Sequence, residues 1–211
     1  MVDVCNAPPP PAEADFRVFF PAADRGRYFR GTTMLDELAF SYYYHYTTFN
    51  QTTHQVSLLV QSLALMALLS QLFGLWFAGV IAVAYSLRLA TYDVVVGLTW
   101  AALFASNLVV VGAGLVDAVV SASGVGSVSV ASALTFGAGL LLQLLGHVEG
   151  DGRFPAFRLY EAAVITPFLM SLAAISWFTG YRRADMDAIR KRAPMWQGTA
   201  RVELRNAVPI R

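Results

Sequence analysis

The sequence predicts an all-α membrane protein, a helical bundle of four to five transmembrane segments preceded by an N-terminal amphipathic helix. Three observations predict it. Apolar side chains make up 56% of the 211 residues and charged ones only 14%, whereas a soluble domain is about a quarter charged. Residues 56–90 form a run of 35 with a single charge, Arg88. Three further apolar runs follow at 94–113, 131–147 and 162–181.

The elements follow in order. Residues 1–33 are rich in Pro, Ala and Arg and read as an irregular extension that gains order only by contact. Residues 34–46 place Leu35, Leu38 and Tyr42 at helical spacing, the pattern of an amphipathic helix. A break is expected at residues 47–49, with Asn50 as N-cap of the next helix. A span needs about 20 apolar residues, so 56–90 reads as a tight hairpin of two spans turning near Gly74. The third span is 94–113. Residues 114–130, rich in Gly, Ser and Val, read as a connector carrying Asp117. The fourth span is 131–147. The segment 162–181 contains Pro167 and either spans or lies partly in the membrane plane. The membrane domain is thus 34–181, followed by a basic tail over 182–211. Arg88 and Asp93 bracket the turn between the second and third spans.

Net charge is +1 but unevenly spread. Residues 1–54 hold six acids and four arginines, whereas 181–211 hold eight basic residues against three acids, a net of +5. Such a tail meets anionic headgroups or an acidic partner, or simply sets orientation as a solvated segment. Nucleic acid is not an expected partner. Cys5 is the only cysteine, which excludes an intrachain disulfide and a thiolate metal cluster. The first sixteen residues contain no arginine and no charged-then-apolar pattern, so neither a mitochondrial presequence nor a secretory signal is expected there.

The chemistry concentrates in three histidines. His45 and His54 lie in Tyr-Tyr-Tyr-His-Tyr-Thr-Thr-Phe-Asn-Gln-Thr-Thr-His (42–54), and His147 lies in Gln-Leu-Leu-Gly-His-Val-Glu-Gly-Asp-Gly-Arg-Phe-Pro-Ala (143–156). Four crossings between His54 and His147 return the chain to the same membrane face, so the topology brings all three to one side. On one continuous helix His45 and His54 point in roughly opposite directions, since nine steps of about 100° give about 180°. They share a site only if the chain turns between them, and residues 47–50 supply the turn. Asn50 and His54 are i and i+4, on one helix face. His147 and Asp151 share that spacing if the fourth helix continues. His45, His54 and His147 with Asp151 or Glu149 form a nitrogen and oxygen donor set suited to iron(II), manganese or zinc. Histidines plus a carboxylate, with vacant positions, serve O₂ activation on non-haem iron. A single histidine at a helix end more often caps backbone or faces headgroups, so the metal reading rests on the three converging.

The pattern His-x4-Asn-x3-His after aromatics, then Gln-x2-Gly-His-x7-Pro-Ala, resembles the membrane family of the yeast 2-hydroxy fatty acid dioxygenase of phytosphingosine breakdown. The resemblance runs from about Leu35 to Ala173. It implies a helical endoplasmic-reticulum-type membrane protein and Fe(II)-dependent α-oxidation, in which a 2-hydroxy fatty acyl chain loses one carbon using O₂. His45, Asn50, His54 and His147 match the family's polar positions. The chain departs from the pattern at Thr47 and Thr48, where the family has Asn-Pro or similar. It departs again at Leu59, where a proline is expected, and at Asp151, where the glutamate is one methylene longer.

Two readings follow. In the first, the chain is an Fe(II) dioxygenase of lipid metabolism. His45, His54 and His147 hold the metal, Asp151 is a ligand or orients one, and Asn50 orients a ligand or the substrate carboxylate. In the second, it is a non-catalytic accessory subunit of a large membrane complex, held through its terminal extensions. The first places it in the endoplasmic reticulum, the second in the mitochondrial inner membrane.

Overall fold

The computed structural model describes residues 34–152 and 161–196. The irregular extension over 1–33 and the last fifteen residues of the tail lie outside the described residues. The described chain is helical, without strands: α1 (Met34–Tyr43), α2 (Thr48–Phe73), α3 (Leu75–Ala90), α4 (Val94–Gly112), α5 (Leu115–Ser123), α6 (Val128–Leu145), α7 (Thr166–Thr179) and α8 (Arg183–Arg192). Four helical stretches are long and apolar enough to cross a membrane: Thr48–Phe73, Val94–Gly112, Val128–Asp151 and Ala162–Thr179.

The hairpin expected over 56–90 is present. Gly74 separates α2 from α3 with φ +89, a conformation that L side chains rarely adopt. α3 and α4 run antiparallel and in register, with Leu75 against Gly112, Leu108 against Gly79 and Ala90 against Gly97. α3 has only 16 residues, about 24 Å at 1.5 Å per residue. It is nevertheless paired with α4 along its whole length. α2 and α6 form a second antiparallel pair, with Gln61 against Gly139, Gln143 against Ser57 and Thr53 against Gly146. Leu98, Val109, Leu134 and Leu141 point outward and are exposed. An apolar exterior of this extent is a surface for lipid rather than water.

Of the remaining helices, α5 joins α4 to α6 at one end of the bundle, and α1, α7 and α8 cap the other. Phe40, Tyr92, Phe168, Leu169, Met186 and Ile189 form a fully buried core there. α7 is long enough to span, but both its ends are tied to this one end. Thr166 Oγ1 lies 3.3 Å from Ser41 Oγ on α1. Just beyond its other end, Tyr181 Oη and Arg182 Nε donate to Asp93 Oδ2 at 2.9 and 2.7 Å. Asp93 also caps α4 by accepting from Val96 N. α7 therefore lies across one end of the bundle, and α2, α3, α4 and α6 are the antiparallel helices that run its length.

Four local expectations change. α1 is present and buried on every described side chain, so its polar face is packed along with its apolar one. The cap of α2 is Thr47, whose Oγ1 accepts from Asn50 N at 3.2 Å. The connector contains α5, and Asp117 sits exposed in its first turn, 3.5 Å from Gln71 Nε2. The tail begins with α8, anchored by the buried Met186 and Ile189 and by an ion pair between Arg192 and Asp36. Asp93 pairs with Arg182, while Arg88 lies over the Tyr92 ring.

This arrangement makes a topological prediction. In a Cys5→Ser background, Thr179→Cys and Gly152→Cys are labelled by an impermeant thiol reagent from one membrane face, and Gly126→Cys from the other. Labelling of Thr179→Cys and Gly126→Cys from the same face contradicts an in-plane α7.

Candidate metal centre

The chain breaks helix at residues 44–47, and that break lets His45 and His54 meet. The Tyr44 and His45 amides close a turn onto the Ser41 and Tyr42 carbonyls at the end of α1. Thr47 then starts α2 in extended conformation. α6 arrives antiparallel and ends in a π-helical turn, Gly146–Asp151, that carries His147. Such turns are rare and recur at functional sites. All three imidazoles are buried, with 4, 3 and 2% exposure for His45, His54 and His147. Their ring centroids stand 4.4 to 4.9 Å apart. One nitrogen from each lies within 4.8 Å of the others.

Hydrogen bonding fixes which nitrogens face inward. His45 Nδ1 lies 2.6 Å from the Ser41 carbonyl and His54 Nδ1 3.0 Å from the Asn50 carbonyl. A carbonyl only accepts, so both Nδ1 atoms carry protons, and neutral rings then present bare Nε2 lone pairs. Those two Nε2 atoms face each other at 3.2 Å. Burial first, then the neighbouring His54 and His147, hold the His45 imidazole well below the ordinary histidine range, with the Ser41 bond opposing. The neutral form is the ligand form. Two imidazoles on one metal at about 2.1 Å have nitrogens about 3.0 Å apart at a right angle and about 3.4 Å apart at the tetrahedral angle. The observed separation falls between them.

Asn50 and Asp151 build the wall of the site. Asn50 is fully buried. Its Nδ2 donates to the Tyr44 carbonyl at 2.8 Å and to Asp151 Oδ2 at 2.6 Å, and lies 3.3 Å from His147 Nδ1. Asp151 Oδ1 accepts from Thr47 N at 2.9 Å and Oδ2 from Tyr46 N at 3.2 Å. The carboxylate expected among the ligands thus stands beside the three histidines, binding the N-terminus of α2. Glu149 is exposed. Helix ends complete the electrostatics. The C-termini of α1 and α6, the negative ends of their dipoles, approach the imidazoles, and Asp151 offsets the positive end of α2. The surroundings favour a cation.

Glycines permit the approach. A Cβ on Gly146 meets Thr53 Oγ1 well inside contact distance and Asn50 Oδ1 at 2.9 Å, and one on Gly150 meets Thr47 Oγ1 at 2.8 Å. Sequence reasoning missed Thr47, Thr53, Gly146 and Gly150. The signal was the spacing Gly139-x6-Gly146-x3-Gly150, small residues on one face of an apolar helix.

No match is found to any protein-family model, curated protein or solved structure.

Two substitutions separate the roles. Gly146→Ala overpacks the α2–α6 contact and costs about 1–3 kcal/mol. Adding Thr53→Ala recovers part of that loss in thermal melts, because the two positions share one contact. Asp151→Ala leaves the Tyr46 and Thr47 amides and the buried Asn50 Nδ2 without their acceptor and costs about 1–3 kcal/mol, while metal content stays at the wild-type level. Loss of metal in Asp151→Ala identifies it as a ligand instead.

Proposed function

We propose that the chain is a membrane metalloprotein whose three histidines hold Fe(II) for the O₂-dependent shortening of 2-hydroxy fatty acyl chains, as the family resemblance implies. The observation carrying the metal is the facing pair of Nε2 lone pairs at 3.2 Å, each ring with its Nδ1 proton committed to a carbonyl. Without a cation or a shared proton between them, two acceptors at that distance repel. Bound there, Fe(II) supplies O₂ activation. His45, His54 and His147 hold it. Asn50 keeps Asp151 and the Tyr44 carbonyl in place, and Asp151 neutralises the start of α2.

A groove of about 250 Å³ between α2, α4 and α7 supports an acyl ligand. Leu58, Leu59, Leu103, Ile175 and Phe178 line it, with Gln55, the neighbour of His54, among its polar residues. The reaction balances as 2-hydroxy acid plus O₂ giving the acid one carbon shorter, CO₂ and water, with O₂ taking four electrons.

One observation favours the second reading, a non-catalytic subunit that keeps a structural metal: the histidines are almost closed to solvent, and closed sites are structural. Elemental analysis of the detergent-purified protein decides the metal. Wild type holds close to one iron per chain after anaerobic Fe(II) loading, and the His54→Ala, His147→Ala protein holds none. Absence of metal from both sinks the dioxygenase reading. Metal without O₂ uptake on 2-hydroxy fatty acids, in a protein that purifies only with other subunits, leaves the structural one.

A further inference from the structure

We propose that Gln143, with Ser57 and Gln61, is a positioning device that sets the register of His54 on α2 against His147 on α6. The proposal rests on the metal-centre reading only for its purpose, and its geometry stands alone. Gln143 lies one turn before His147, and Ser57 and Gln61 lie one and two turns beyond His54. The two ligands and the three polar residues therefore occupy the facing stripes of one antiparallel pair.

The polar atoms form one connected set. Gln143 Nε2 donates to Ser57 Oγ at 2.9 Å and to Gln61 Oε1 at 2.8 Å, using both amide protons. Gln61 Nε2 donates across to the Phe136 carbonyl at 3.2 Å, and Ser57 Oγ donates back to the His54 carbonyl at 3.0 Å. The chain of bonds thus runs from the α6 backbone to the backbone of a ligand residue. Ser57 and Gln61 are buried. Gln61 is also seated against Gly139, where a Cβ would stand 2.5 Å from its Cγ.

Apolar side chains pack two spanning helices together equally well and need no partners. A polar network inside a bilayer earns its place differently, because it has one satisfied register and no water to replace lost bonds. Sliding α6 by one residue moves it about 1.5 Å and turns it about 100°. That shift unmakes the Gln143 bonds and carries His147 out of reach of the other two imidazoles. A buried polar residue that fixes helix register at the expense of stability is well attested. Metal ligands tolerate displacements of only about 0.5 Å, so register one turn from the ligands matters most.

The experiment uses Co(II) as the probe and compares wild type with Gln143→Leu in detergent. Gln143→Leu keeps its helix content but binds Co(II) at least about tenfold more weakly, with shifted visible bands, as loss of a supporting contact does. A metal-independent arm uses the Cys5→Ser, His54→Cys, His147→Cys protein and a short thiol cross-linker. Cross-linking is efficient with Gln143 and drops several-fold with Gln143→Leu. If Gln143→Leu does not fold, Ser57→Ala, which removes one bond of the set, takes its place in both arms. Unchanged cross-linking overturns the proposal, whatever Co(II) does. Reduced cross-linking in a protein whose wild type takes up no Co(II) supports the register role and sinks the metal reading.

Discussion

The close approach of α2 and α6 governs the rest of the structure. Gly139, Gly146 and Gly150 let the two backbones come together where any side chain would collide with Gln61, Thr53 or Thr47. Antiparallel contact at that distance places the first turns of α2 beside the last turn of α6, and so His54 beside His147. His45 joins them because the chain reverses between α1 and α2, and that reversal is itself held from α6 by Asp151 on the Tyr46 and Thr47 amides. One contact thus sets three imidazole positions from segments about a hundred residues apart.

The polar residues around the imidazoles act as a unit. Carbonyls of Ser41 and Asn50 orient two rings by taking their Nδ1 protons. The Asn50 amide spends both its protons on the Tyr44 carbonyl and on Asp151. A low-dielectric environment makes each of these bonds stronger and each missing partner costlier. The outcome is a set of neutral donors whose inward atoms lack protons, an arrangement poor as a packed core and good as a cation site.

Much of this was legible in the sequence. Apolar run lengths gave the α2–α3 hairpin and the break at Gly74, and the parity of crossings brought the three histidines to one end. The failures have local physical causes. Thr47 rather than Asn50 caps α2, because Asn50 is drawn into the site by Tyr44 and Asp151, and propensity alone does not see that competition. α1 reads as amphipathic yet is buried all round, because α7 and α8 pack on its polar side and Arg192 meets Asp36. Composition could not say whether 162–181 spans. Only the ties of Ser41 to Thr166 and of Asp93 to Arg182 put both its ends at one face.

Helix length then places the centre in depth. α2 has 26 residues, about 39 Å at 1.5 Å per residue, against a hydrocarbon core of about 30 Å. The surplus is about six residues, equal to the stretch 48–53 that leads up to His54. With α1, α7 and α8 stacked at that same end, the surplus lies at the capped side, together with the three imidazoles. The groove between α2, α4 and α7 is lined by Gln55, next to His54, and by Leu103 and Phe178. The function proposed for the chain calls for a cation site at one end of an apolar bundle, and that is where the three buried imidazoles lie.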